Sequence, residues 1–138
     1  MMRRIWIPVA ILVAVAAWLS DKTPQAGVAR PISIANITVV DGDTIRLLGE
    51  RIRLTGYDTP ETFRAQCDAE LQRGNAATAR LRALLQQADS VELDEQDRRD
   101  RHGRILARLM LDGRDVADVM ISEKLARRYN GGQRQSWC

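Results

Sequence analysis

Thr44-Ile45-Arg46-Leu47-Leu48-Gly49-Glu50-Arg51-Ile52-Arg53-Leu54-Thr55-Gly56-Tyr57 reads as two strands and a turn. Thr44 to Leu48 and Arg51 to Tyr57 are rich in β-formers, and Gly49-Glu50 supplies a tight connection between them. Upstream, Ile32 to Val40 is β-branched and alternating, with Ile32, Ile34 and Val40 on one parity and Ile37 and Val39 on the other. Asp41-Gly42 ends that strand as a turn. The three strands form a β-meander.

Downstream, Ala77, Leu81, Leu84 and Leu85 share one helical face within Ala76 to Gln87. Two starts fit this helix: Asp68, with Asp68 and Glu70 in the first turn, or Asn75 as N-cap after Gly74. Ser90 to Leu93 reads as a fourth strand. Asp94 to Arg101 holds no apolar residue and is expected to be a solvated loop. Arg104 to Leu111 is a fifth strand, and Asp112-Gly113 a turn. Asp115 is expected to cap a second helix, with Val116, Val119 and Met120 inward. The tail from Tyr129 to Cys138 is polar and glycine-rich. The expected fold is mainly β with α: a five-stranded OB-fold barrel, one helix between strands three and four and a second after strand five.

The 138 residues suffice for one modest core. Residues 5–19 carry no charge and follow Met1-Met2-Arg3-Arg4, the pattern of an export signal. Residues 1–20 are therefore read as a signal peptide or an uncleaved signal anchor, 21–30 as a linker, and 31–138 as the working domain. That domain is expected outside the cytoplasm, periplasmic or secreted, and tied to the inner membrane if the anchor stays. Setting aside Arg3, Arg4 and Lys22 from 21 basic residues, and Asp21 from 18 acidic ones, leaves it near neutral. Net charge thus does not argue for nucleic acid, although most basic residues are Arg, which suits bidentate phosphate contacts. In an oxidising compartment Cys67 and Cys138 are expected to pair. Chain entropy credits such a loop with roughly 4 kcal/mol as an upper figure.

Four carboxylates, Asp41, Asp43, Asp58 and Glu61, fall in two short groups. Asp43 opens the second strand and Asp58 closes the third, so a meander puts them at one end of the sheet. Carboxylate and carbonyl oxygens suit Ca²⁺, while zinc spacing is absent and His102 is the single histidine. Glu61, after Pro60, reaches the same place and is suited to take a proton from water. Each piece alone is also an ordinary turn sequence with acids capping turns. Arg53 lies five residues before Asp58, an odd spacing that needs a bend near Gly56. Arg104 enters the fifth strand. A cation, a glutamate and two arginines together suit phosphodiester cleavage, because positive charge offsets what grows on the phosphoryl oxygens.

From Ile34 to Arg128 the chain resembles the staphylococcal nuclease (thermonuclease) family. The resemblance is carried by Val40-Asp41-Gly42-Asp43-Thr44, Arg51-Ile52-Arg53-Leu54, Asp58-Thr59-Pro60-Glu61-Thr62, Asp100-Arg101-His102-Gly103-Arg104, Asp112-Gly113 and Lys124-Leu125-Ala126. It implies an OB-fold nuclease dependent on one Ca²⁺ ion, a monomer that hydrolyses DNA and RNA to 3′-phosphate and 5′-hydroxyl ends. It implies that Asp43, Asp58 and the Thr59 carbonyl hold the metal, that Glu61 is the general base, and that Arg53 and Arg104 bind phosphate. Asp41 falls beside the metal without holding it. His102 stands where the family usually has Tyr, a position able to contact a terminal phosphate. The Gly49-Glu50 hairpin is short, and a long carboxy-terminal helix is replaced by Gly131 to Cys138. The family's base-stacking tyrosines lack a sure counterpart, Tyr129 being the nearest candidate.

Two rival readings remain: an OB-fold module that binds nucleic acid or protein without cutting, and a structural envelope domain. Outside the export segment there are four aromatics, Tyr57, Phe63, Tyr129 and Trp137, few for a stacking platform. Complete metal, base and arginine positions favour the enzyme.

Overall fold

Strand pairing in the computed structural model, which describes residues 29–138, follows the alternation of the meander. The signal or anchor and the body of the linker lie outside the described residues. Among the described residues no helix is long and apolar enough to cross a membrane. β1 (Arg30–Pro31) is followed by a single 3₁₀ turn at Ile34–Asn36, β2 (Ile37–Asp41), β3 (Thr44–Leu47), β4 (Glu50–Leu54) and β5 (Gly56–Asp58). Then come α1 (Asp68–Gln87), β6 (Val91–Arg99), β7 (Ile105–Leu111), β8 (Arg114–Asp115), α2 (Val116–Ser122) and β9 (Arg127–Tyr129). Ile45 faces Ile52 across β3 and β4, and Ile45, Leu47, Ile52 and Leu54 all enter the core. The β3–β4 hairpin turns on Leu48 and Gly49, both at positive φ (51° and 90°), one residue earlier than the sequence suggests. A two-residue loop with both centres in that region matches strand twist.

The result is a mixed, OB-like sheet with two helices, and it corrects the five-stranded barrel. One seven-stranded sheet runs β1-β6-β7-β4-β3-β2 with β8 beside β7, and β5 and β9 form a second ladder. The sheet does not close. Arg30–Pro31 pairs with β6, Ile37–Asp41 pairs with β3, and the turn between them separates the two. Pro31 brings no N–H to the β6 edge, so this contact stays short.

The expected solvated loop at residues 94–101 is also corrected. β6 continues to Arg99 against β7, with Asp94 opposite Arg108. Its side chains are polar, yet Asp94, Glu95 and Arg99 pair with β7 around a register shift, and an opposite-charge cross-strand pair favours the strand. β4 meanwhile runs parallel to β7, from Ile52 beside Ile105 to Leu54 beside Ala107.

α1 takes the earlier of its two starts, with Cys67 as N-cap and Asp68 and Glu70 in the first turn. Acids there complement the helix dipole. Gly74 is no break. It lies on the buried stripe with Ala77, Thr78, Leu81 and Leu85, while Leu84 is half-buried. On α2 the Asp115 carboxylate accepts from the Ala117 N–H at 2.8 Å, the expected cap. Val116, Ala117 and Met120 are buried and Val119 is half-buried.

Candidate active site

The two acidic turns meet. Asp43 Oδ2 accepts from the Thr59 N–H (3.0 Å) and the Thr59 hydroxyl (3.1 Å), so the first turn is stitched to the second. Asp41 Oδ1 accepts from the Asp43 N–H at 3.1 Å, and the buried Tyr57 hydroxyl donates to the Gly42 carbonyl at 3.0 Å. Glycine is required at 42 for space. A Cβ there stands 2.8 Å from Thr59 Oγ1 and 2.9 Å from Ala77 Cβ, too close for any side chain.

Arg53 joins the carboxylates despite its odd spacing from Asp58. Thr55 drops out of the strands, Gly56 takes φ 91°, and β5 leaves the main sheet to pair with β9. Residues on opposite pleat faces are thereby brought together. Arg53 Nη1 lies 2.8 Å from Asp43 Oδ2 and Nη2 lies 3.2 Å from Asp58 Oδ1. Its guanidinium also donates to the carbonyls of Asp43, Leu54 and Tyr57. One planar fork thus bridges both aspartates.

Glu61 is aimed by α1. Glu70, itself buried, accepts from the Glu61 N–H at 3.2 Å and the Gln66 N–H at 2.7 Å, clamping both ends of the intervening loop. Gly74 lets that loop lie on the helix: a Cβ at 74 falls 2.7 Å from the Glu61 carbonyl oxygen and 2.8 Å from that of Pro60. Gly74→Ala is therefore expected to push Thr59 to Glu61 off the helix. Overpacking costs about 1–3 kcal/mol, partly offset by roughly 1 kcal/mol of better helix propensity. Activity falls about 10- to 100-fold, because misplacement near 1 Å has that scale of effect. Melting temperature and kcat measured together check this; a stabilised enzyme of undiminished kcat overturns it.

Arg104 reaches the same cleft from the β6–β7 turn. Asp100 accepts from the N–H groups of His102 and Arg104 (both 2.9 Å) and from Arg104 Nε (2.8 Å). Burial alone raises the Asp100 carboxyl, but these hydrogen bonds outweigh it and hold it below the usual range. His102 is exposed and its Nε2 accepts from Arg101. Asp41, Asp43, Arg53, Glu61, His102 and Arg104 all line one cleft of about 390 Å³.

Three side chains that contact the acidic turns were not legible. Besides Glu70, they are Arg134 and Trp137, delivered by the carboxyl end. Cys138 is disulfide-bonded to Cys67, at the N-terminus of α1, with Cα atoms 6.0 Å apart. Trp137 is buried, donates Nε1–H to Asp58 Oδ2 at 3.3 Å, and stacks under the Arg127 guanidinium at 3.7 Å. Arg134 Nη2 lies 2.7 Å from Asp58 Oδ1 and donates to the Thr59 carbonyl at 3.2 Å, while Nη1 pairs with Glu61 Oε1. The available signal was Cys138 itself, since a bridge to Cys67 brings the four residues before it beside the acidic turns. Tyr129 is half-buried, its hydroxyl spent on the Gly132 carbonyl.

Burial first, then the Asp43 carboxylate, pushes the Asp41 carboxyl up to about 6. Burial also raises Asp58, although Arg134 opposes it. Among the described residues no three His, Cys, Asp or Glu side chains cluster closely enough to hold a metal. The donors here instead include a backbone oxygen: one Arg134 nitrogen touches both Asp58 Oδ1 and the Thr59 carbonyl, and Asp43 is one guanidinium away. Oxygen donors converging on a point already taken by a cationic nitrogen fit a hard divalent cation.

An OB-like sheet thus gathers carboxylates and arginines over one cleft. Residues 51–136 match the family described as staphylococcal nuclease homologue, and the chain belongs to that family. It is similar to the endonuclease YncB of Bacillus subtilis, at 33% identity over 102 residues, covering 68% of this chain and 48% of that protein. It is 37% identical over 103 residues to the succinoglycan biosynthesis protein ExoI of Rhizobium meliloti, covering 72% and 53%. It is 34% identical over 95 residues to the thermonuclease of Staphylococcus hyicus, covering 66% and 56%. The chain spans about half the length of these curated relatives.

Proposed function

We propose that this protein is an exported, Ca²⁺-dependent nuclease that hydrolyses phosphodiester bonds of both DNA and RNA. The observation that carries the reading is the convergence of Asp58, the Thr59 carbonyl and Glu61 on one guanidinium, with Asp43 bound to the Thr59 backbone beside them. Asp43, Asp58 and the Thr59 carbonyl would hold the single cation, which would supply positive charge to a phosphoryl oxygen. Glu61 accepts the proton of the attacking water as the new P–O bond forms. Arg104, aimed by Asp100, faces the phosphoryl oxygens as the bond to the 5′-oxygen breaks. That oxygen takes a proton from solvent water and leaves as a 5′-hydroxyl, and the phosphate stays on the 3′ side. Arg53, occupied by two aspartates and three carbonyls, fixes the carboxylates and presents charge from the cleft wall.

A groove of about 1130 Å³ continues from Arg53 and Arg104 past Arg98, Arg101 and Arg128, a run of guanidiniums that suits a polyanion. Tyr57 and Trp137 are buried and unavailable for stacking, which weighs against a non-cleaving platform. Export, with residues 5–19 as leader or anchor, rests on the sequence pattern, and the monomeric state on the family resemblance alone.

The full-length chain is incubated with single-stranded DNA and with RNA, in Ca²⁺ and in chelator, and product ends are mapped. Cleavage in Ca²⁺ to 3′-phosphate ends, abolished by chelator, is expected on both substrates. Binding without cleavage under Ca²⁺, Mn²⁺ and Mg²⁺ sinks the reading.

A further inference from the structure

The carboxyl tail puts a third guanidinium where the nuclease chemistry needs none. Arg134 is exposed, yet its two terminal nitrogens contact three groups of the candidate site: Asp58 Oδ1, the Thr59 carbonyl and Glu61 Oε1. Two of these are donors assigned to the cation. A guanidinium nitrogen 2.7 Å from Asp58 and a hard cation cannot use the same oxygen lone pairs in the same space.

The placement is built into the tail. Gly131 and Gly132, at φ 103° and 92°, reverse the chain after β9. Beyond Arg134, the Ser136 carbonyl accepts from Arg127 Nη1 at 2.9 Å and the Trp137 carbonyl from Arg73 Nη1. Trp137 fills a buried slot against Asp58, and Cys138 is bonded to Cys67. Arg134 is thus four residues from a covalent anchor and three from a packed one. Its effective concentration at the carboxylates is that of a tethered ligand, not of a free side chain.

We propose that Arg134 is the residue that sets the affinity of this cleft for its divalent cation, acting as a tethered competitor for the oxygens of Asp58 and Thr59. The inference rests on the metal reading given above. Cation binding requires Arg134 to leave those oxygens, and whatever holds the tail in place works against it. The disulfide therefore belongs to the same device. Opening it frees Cys138, lowers the effective concentration of Arg134 and favours the cation.

Calorimetric titration of the full-length chain with CaCl₂ tests this, comparing wild type with Arg134→Gln, Arg134→Lys and Asp58→Asn, each oxidised and after reduction. Charged hydrogen bonds of this kind set the scale. R134Q is expected to bind Ca²⁺ about 10- to 100-fold more tightly than wild type. R134K, which keeps the charge and loses the fork, falls between them, and remains informative if R134Q does not fold. Reduction tightens binding by wild type and leaves R134Q unchanged. Equal or weaker binding by R134Q and R134K overturns the competition while leaving the metal site standing. Absence of Ca²⁺ binding by every protein, or undiminished binding by D58N, overturns the metal reading and this inference with it.

Discussion

Glu61→Gln is expected to lower kcat by about 10²- to 10⁴-fold while leaving the fold and the cation affinity close to wild type. The substitution keeps the shape of the side chain and removes its capacity to take a proton, and general-base contributions have that magnitude. The backbone at 61 is held independently of the side chain, by Glu70 on its N–H and by the close contact of its carbonyl with Gly74. The amide oxygen of Gln still accepts from Arg134, so the tail has no reason to move. Glu61 is not among the three proposed cation donors, which predicts that calcium titration of E61Q resembles that of wild type. A kcat within threefold of wild type removes Glu61 from the base role. A loss of cation affinity equal to the loss of kcat makes it a metal ligand instead.

The roles that this experiment separates were legible to different degrees. Asp43, Asp58 and Glu61 stood out because short turns pin acids to strand ends, and strand ends in a meander coincide. Arg53 was half legible. Its identity was plain, but pleat parity put it on the wrong face, and only the φ of Gly56 and the departure of β5 toward β9 brought it to Asp58. Glu70 was hidden because an acid in the first turn of a helix already has a local explanation in the dipole. Its use, clamping the N–H groups of Glu61 and Gln66, depends on a loop that folds back. Gly74 was read as a possible break because glycine weakens helices. In the structure the missing Cβ makes room for two carbonyl oxygens, a tertiary reason invisible to propensity. The tail was the largest omission. The ten residues from Tyr129 to Cys138 carry no period, and their order comes from a disulfide, a buried indole and ion pairs with residues 58 and 61. The charged end of β6 failed for the converse reason: backbone pairing with β7 made a strand of residues whose side chains gave no sign of one.

Arg53→Ala is expected to cost about 3–5 kcal/mol of stability, the scale for breaking a buried ion pair from one side. That is a large share of the roughly 5–15 kcal/mol available to a domain, and lowers the melting temperature by on the order of 15 °C. Arg53 is 8% exposed, and its loss removes the cation between the Asp43 and Asp58 carboxylates and the hydrogen bonds it donates to three carbonyls, of which that of Asp43 keeps the Leu54 N–H. Arg134 still reaches Asp58, so compensation is incomplete rather than absent. Two signatures distinguish this cause from simple loss of packing. The first is pH. Burial already raises the Asp58 carboxyl in the wild type, and removing a cation raises it further. A carboxyl raised in the folded state contributes stability that is present at low pH and lost as pH rises through its folded value. The deficit of R53A relative to wild type should therefore be smaller near pH 4 than near pH 7, whereas a packing defect is insensitive to pH. The second is Ca²⁺, which should restore more stability to R53A than it adds to wild type, because it replaces a charge the variant lacks. R53K should fall between the two, since an ammonium neutralises but cannot bridge both aspartates as a fork does. Thermal unfolding of the three proteins at both pH values, with Ca²⁺ and with chelator, decides it. A melting temperature of R53A within a few degrees of wild type at pH 7 in chelator means that the bridge is not what holds the two acidic turns together. In that case the stitching of Asp43 to Thr59 must suffice alone.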